Sequence, residues 1–277
     1  MTKFLIRRTF LLAVTMIVAS IIVFALTQLL PGDIARLILG RDASPASIAE
    51  FNAEFGLDQP VPIQYTGWLG RFVVGDWGTS YSGANAEVRP LVMRRLGNSL
   101  VLAGFTLLIS IPLSIVLGIV AALRAGGWVD GLISVSSLSV IGLPEFVTGI
   151  VLINLFSLQL GWFDPISQVR NGMTPLAWLR ILTLPAITAS FVLVGYVARM
   201  TRAGMLDELK KSYVRTAQLK GLSERQVITK HVLRNALLPT ITVIAISIGW
   251  LIGGIVVIEN VFNYPGIGSL LVDAVNQ

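Results

Sequence analysis

Among the polar side chains within the long apolar runs of this chain, Glu145, Asn154 and Ser247 are the candidates for a solute pathway. A carboxylate at the centre of an apolar helix costs roughly 2.5–3.5 kcal/mol on membrane-insertion scales, so it ordinarily marks a solute or ion pathway, or a polar partner. Glu145 follows Pro144 directly and has two readings, a pathway or gating group and a structural hydrogen bond to a neighbouring helix. Asn154 and Ser247 join it as pathway candidates on polarity alone. Glu259 lies at the edge of a run, where a solvated or headgroup-level carboxylate is expected.

Nothing else in the sequence assembles a catalytic centre. The patterns GxSxG, HExxH and GxxxxGK[ST] do not occur, which leaves no nucleophile elbow, no paired zinc histidines and no phosphate-cradling loop. The single histidine, His231, reads as a packed or interfacial residue ahead of a catalytic base. With no cysteine, disulfides, cysteine nucleophiles and thiolate metal sites are excluded. The chain is expected to be no enzyme and to carry no cofactor of its own. Any ATP must be bound by another chain.

The densest charge lies in "YVRTAQLKGLSERQVITKHVLRNALLP", residues 213–239. Helical spacing puts Tyr213, Val214, Ala217 and Gly221 on one narrow, small-residue side, opposite Arg215 and Leu219. Gly221 suits a left-handed helix end, and Ser223 with Gln226 three residues later makes a capping box for a second helix, with Glu224 at the positive end of its dipole. Pro239 is expected to break the chain before the next apolar run. A polybasic loop held on anionic lipid, at about 1 kcal/mol per basic residue, would explain the charge. It would not explain the helix, glycine and cap, which predict a rigid element whose small face is gripped by another protein.

The elements that position these residues are membrane spans. Apolar residues make up 54% of the chain and charged residues 13%, far below the roughly 25% charged of soluble domains. Five runs are long enough to cross a bilayer as helix, over residues 9–30, 99–123, 132–160, 184–200 and 241–262. The first reads as an uncleaved anchor ahead of a cleaved signal peptide. Lys3, Arg7 and Arg8 before it place the N-terminus in the cytoplasm, and alternation then puts residues 201–239 inside. Nine Lys or Arg against three Asp or Glu, counted over residues 199–235, agree with that side. The net charge of +6 is thus a topology signal, and no nucleic-acid pattern accompanies it.

Residues 31–98 form an ordered extracytoplasmic segment, because Phe51, Phe55, Tyr65, Trp68 and Phe72 are too many anchors for a disordered linker. Ser44 as N-cap and Pro45 at the first helical position predict a short helix stopped at Gly56. Pro112 and Pro144 are expected to bend the second and third spans. Gly249 and Gly253 form a GxxxG, read as tight packing within the subunit or as a subunit interface.

The charged stretch resembles the cytoplasmic loop of ABC importer permeases, with Ala217, Gly221 and the closing "RNALLP" (234–239) matching residue by residue. "LPGD" (30–33), "FGLDQP" (55–60), Tyr65, "GDWGTS" (75–80) and "ENVFNYPGIGSLLVDAV" (259–275) narrow the likeness to the dipeptide, oligopeptide and nickel permeases, and to the first permease of the pair. The resemblance implies an all-α integral membrane protein with six spans in the full family, against five here, so a further span after residue 277 is expected. Its domains are the N-terminal anchor 1–30, the extracytoplasmic segment 31–98 and the permease domain 99–277 with its coupling loop 201–239. It implies that Tyr213, Val214, Arg215, Thr216, Ala217, Gln218, Lys220, Gly221, Leu222 and Ser223 couple to an ATPase. Implied partners are a second homologous permease, two ATPase subunits carrying ATP and magnesium, and an extracytoplasmic binding protein. The location is the bacterial or archaeal inner membrane. Glu145 stands where relatives often carry an uncharged residue. Short peptides are the favoured solute, with a nickel or metal chelate as alternative, since one histidine and no cysteine make poor ligands for bare nickel. A secondary transporter independent of ATP is the rival class.

Overall fold

The computed structural model describes residues 2–29, 34–40, 43–80, 86–170 and 172–276, and the "LPGD" stretch, residues 30–33, lies outside them. Among the described residues the architecture is all-helical, with extended pairing confined to one bridge between Thr79 and Glu87. Close contacts divide the chain into two units, Met1–Leu91 and Val92–Gln277.

The first unit opens with α1, Thr2–Leu29, apolar enough to cross a membrane and with none of its best window buried inside the chain. Exposed Phe4, Phe10 and Met16 are explained by lipid, since water would not tolerate so continuous an apolar surface. After α2, Ile34–Leu39, helix α3, Pro45–Phe55, is capped as expected: the Ser44 hydroxyl accepts from the Ser47 N–H and Gly56 closes the helix with φ +66. Helix α4, Val61–Val74, meets α1 through aromatic and polar contacts. Tyr65 stacks edge-on to Phe24 at 5.4 Å and shares a 2.8 Å hydrogen bond with Ser20. Trp68, Phe72 and Trp77 continue the ladder at 5.4 and 5.0 Å.

The second unit is organised around one buried helix. Its elements are α5 (Val88–Leu123), α6 (Trp128–Gly142), α7 (Glu145–Leu152, continued by π-helical turns over Ile153–Gln159), α8 (Pro175–Leu209), α9 (Ser212–Leu219), α10 (Glu224–Val227, followed by π turns over Ile228–Val232), α11 (Leu233–Val261) and α12 (Ile267–Asn276). Helix α8 has 72% of its apolar window buried, against 22% for α5. Ala186, Ala189 and Ala198 along it let neighbouring backbones close in, the usual means of association where lipid removes the hydrophobic drive. Between helices, Leu184, Leu193, Leu251, Ile258 and Phe262 make one buried cluster.

Four helices are long and apolar enough to span a membrane, five if the α6–α7 pair counts as one. The bend expected at Pro144 in the third span is present and sharper than a kink. Pro144 stands at the N-cap of α7 and the two halves meet at 106°, because a proline at that point cannot donate to the preceding turn. Pro112, expected to bend α5, lies inside one uninterrupted helix. Pro239 likewise lies within α11, so the break expected there is absent. A separate irregularity lies upstream, in the π turns over Ile228–Val232. Gly249 and Gly253 face open space, with nothing within 4 Å of a Cβ at either.

Candidate functional site

The short helix α9 is fixed to the second unit by the very residues expected to face outward. Val214 and Ala217 are buried in a cluster with Ala122, Met205, Val227, Val232 and Ala236, so the small-residue face is the anchor and the expectation that a partner grips it is corrected. The reason is that α10 and the start of α11 fold back over that face. Tyr213 adds a polar tie: its hydroxyl donates to Glu208 Oε2 at 2.6 Å and accepts from Asn235 Nδ2 at 3.4 Å. Lys211 pairs with the other oxygen of Glu208. Burial, and then the bond to Glu208, push the Tyr213 hydroxyl pKa up, and the same carboxylate raises that of Lys211.

What α9 presents outward is Arg215, Thr216, Gln218, Lys220 and above all Leu219, 81% exposed. The helix closes as the sequence predicts. Gly221 adopts φ +83, its N–H reaches the Gln218 carbonyl at 2.9 Å, and the Leu222 N–H reaches Ala217 at 3.3 Å, the paired bonds of a Schellman end. Ser223 and Gln226 then form the capping box. Gly221, Leu222 and Ser223 are all exposed. His231 is exposed on the π turn, so it is not a packed residue.

A further contact joins α6 to α8. Arg202 on α8 grips Asp130 on α6 through Nε at 2.5 Å and Nη2 at 2.7 Å. Asp130 also accepts from the Gly126 N–H at 2.9 Å and the Ser134 hydroxyl at 3.2 Å, closing the turn before α6. A two-pronged guanidinium pair fixes orientation as well as distance. The residues stand 72 apart in sequence, beyond any local pattern.

Glu259 corrects a second expectation. It is fully buried, not solvated or at headgroup level. Its carboxylate accepts from the Ser99 hydroxyl at 2.5 Å and from the N–H groups of Gly268 and Ser269 at 2.8 and 3.0 Å, which are the free donors at the start of α12. Ser99 in turn accepts from the Ile267 N–H at 2.8 Å. The glycines of "YPGIG" follow from this closeness: a Cβ on Gly266 would fall on the Glu259 carboxylate, and one on Gly268 would stand 2.6 Å from the Val256 Cα. Tyr264 donates to the Asn98 carbonyl at 2.8 Å, and burial raises its hydroxyl pKa well above the ordinary value.

Of the three pathway candidates, two converge. Glu145 and Ser247 line one cavity of about 480 Å³ together with Pro144, Val192, Tyr196 and Trp250. Asn154 lies apart on the π turns, where its Oδ1 accepts from Gln159 at 2.8 Å. Glu145 is half-buried and lies against α11, where a Cβ on Gly254 would be 3.5 Å from its Oε2. The structural hydrogen bond to a neighbouring helix is not formed. Among the described residues no three His, Cys, Asp or Glu side chains converge on a metal position.

Helices long and apolar enough to span a membrane, one pair of them broken at Pro144, define a multi-pass all-helical membrane protein. Residues 114–277 match the model of the binding-protein-dependent transport system inner membrane component, and residues 1–103 match that of its N-terminal region. The chain belongs to this family of ABC importer permeases, in its peptide branch. It is 40% identical over 276 residues to a putative peptide transport system permease protein of Brucella abortus, covering 99% of this chain and 87% of that one. It is 36% identical over 279 residues to the oligopeptide transport system permease protein AppB of Bacillus subtilis, covering 100% and 88%. The glutathione transport system permease protein GsiC of Pectobacterium atrosepticum is 35% identical over 277 residues, with 100% and 88% covered. The family is one of binding-protein-dependent importers, so the ATP-independent secondary transporter is not favoured.

Proposed function

We propose that this chain is one of two permease subunits that pass short peptides inward, driven by ATP hydrolysis on two partner ATPases. The observation that carries the reading is the outward face of α9 with its Gly221 turn, held rigidly from behind by Val214, Ala217 and Tyr213. A stiff element of that kind transmits displacement, whereas a lipid-held loop would not. Nucleotide shifts the permease between states only through differential affinity for them, and the tie from α9 to the ends of α8 and α11 supplies a route. The ATPase cleft takes Arg215, Thr216, Gln218, Lys220, Gly221, Leu222 and Ser223, while Tyr213, Val214 and Ala217 act from behind.

In this reading the anchor 1–30 starts in the cytoplasm of a bacterial or archaeal cell, residues 31–98 lie outside the inner membrane against a substrate-binding protein, and 99–277 form the permease domain. ATP and magnesium reside on the partners and no cofactor on this chain. Glu145 and Ser247 line the solute's path. The names of the relatives favour peptides over a nickel chelate. Co-purification in mild detergent, mass identification and an ATPase assay test the assembly. A second permease and Walker-motif ATPases are expected, and recovery of the chain alone would overturn the reading.

A further inference from the structure

We propose that Glu145 is the counter-ion for a free ammonium group on the transported solute, bound in the cavity between α6, α7, α8 and α11. The inference rests on the peptide-importer reading and deepens it. Glu145 is the only charged residue lining this cavity, and no hydrogen bond or ion pair engages its carboxylate among the described residues. Every other carboxylate in the second unit's buried interior is engaged: Asp130 by Arg202, Glu208 by Lys211 and Tyr213, Glu259 by Ser99 and two backbone N–H groups. The exception is the one that opens onto space of about 480 Å³, within the range of small-ligand pockets.

The surroundings select a cation. The Trp250 ring tip and the Glu145 carboxylate both lie within 3.9 Å of a single point on the face of Gly254, and Tyr196 lines the same wall. An ammonium in the cavity meets the Glu145 carboxylate for a charge-assisted hydrogen bond, with the Trp250 and Tyr196 rings in the surrounding wall. Ser247 offers a hydroxyl to a neighbouring carbonyl. A solute carboxylate would meet only repulsion from Glu145. The α-amine of a short peptide has the required chemistry, and so does the amine of a lipid headgroup, so the test removes the second source.

The complete transporter with its binding protein is reconstituted in phosphatidylglycerol vesicles, which carry no lipid ammonium. Dialanine uptake is measured for the wild type, Glu145→Gln and Glu145→Asp, with co-purification of the ATPases as the control for assembly. Glu145→Gln is expected to lower maximal uptake about tenfold or more, the loss of one charge-assisted contact, and Glu145→Asp to recover most of it. Uptake by Glu145→Gln at the wild-type rate would overturn the assignment, and so would equal loss in both variants, which would mark a steric role. A wild-type complex that hydrolyses ATP in response to its binding protein yet imports no dialanine would overturn the peptide reading itself.

Discussion

The hydroxyl of Tyr213 lies 2.6 Å from Glu208 Oε2, joining α9 to the C-terminal end of the most buried span. Two helices that share so short a bond cannot move independently without breaking it. Replacing Tyr213 by Phe keeps the ring packing and removes the bond. We expect membrane insertion to persist and binding-protein-stimulated ATP hydrolysis to fall several-fold, measured in vesicles. Unchanged stimulation would remove Tyr213 from the transmission route.

The two faces of α9 predict opposite phenotypes. Ala217→Leu forces a larger side chain into a packed cluster, where overpacking costs typically about 1–3 kcal/mol, and should lower thermal stability in detergent. Leu219→Asp changes a side chain that touches solvent and should leave stability intact while abolishing co-purification of the ATPases. If Leu219→Asp retained the ATPases, the outward face would not be the docking surface.

Gly221 separates backbone from contact. With φ +83 and open space around it, Gly221→Ala costs about 1 kcal/mol in strain, while Gly221→Asp adds charge to the exposed turn. Coupling is expected to survive the first and fail in the second, read as transport per ATP hydrolysed.

Glu259→Ala leaves the N–H groups of Gly268 and Ser269 and the Ser99 hydroxyl without their acceptor. Stranding buried partners in this way costs about 3–5 kcal/mol. A fall in melting temperature is expected, largest for Ala and smaller for Gln. A melting temperature unchanged in Glu259→Ala would refute the cage.

Alkaline stability follows from Tyr213 and Lys211, whose pKa values are both raised above 10.0 and 10.5. The folded state holds both protons more tightly than the unfolded one. Their stabilisation is therefore complete below about pH 10 and is lost as pH rises through the folded values. Melting curves should fall more steeply above pH 10 for the wild type than for Tyr213→Phe with Lys211→Met, and parallel curves would count against it.

The sequence by itself determined the class of protein, the apolar N-terminal helix and the punctuation at Ser44, Gly56, Gly221 and Ser223. Each of these depends on residues within a turn of one another, so hydropathy and capping chemistry suffice. It also located the charged stretch. It did not say which side of α9 faces in, because that depends on α10 and α11 folding over Val214 and Ala217. Nor could it read the role of Glu259, whose partner Ser99 is 160 residues away, or pair Asp130 with Arg202. Pro144 was legible as a bend but not as a 106° break, and Pro239, expected to break the chain, lies within one continuous helix. Only the tertiary structure brought Glu145 and Ser247 to one cavity and left Asn154 outside, since a polar residue in an apolar run announces that it needs a partner without showing which helix supplies it.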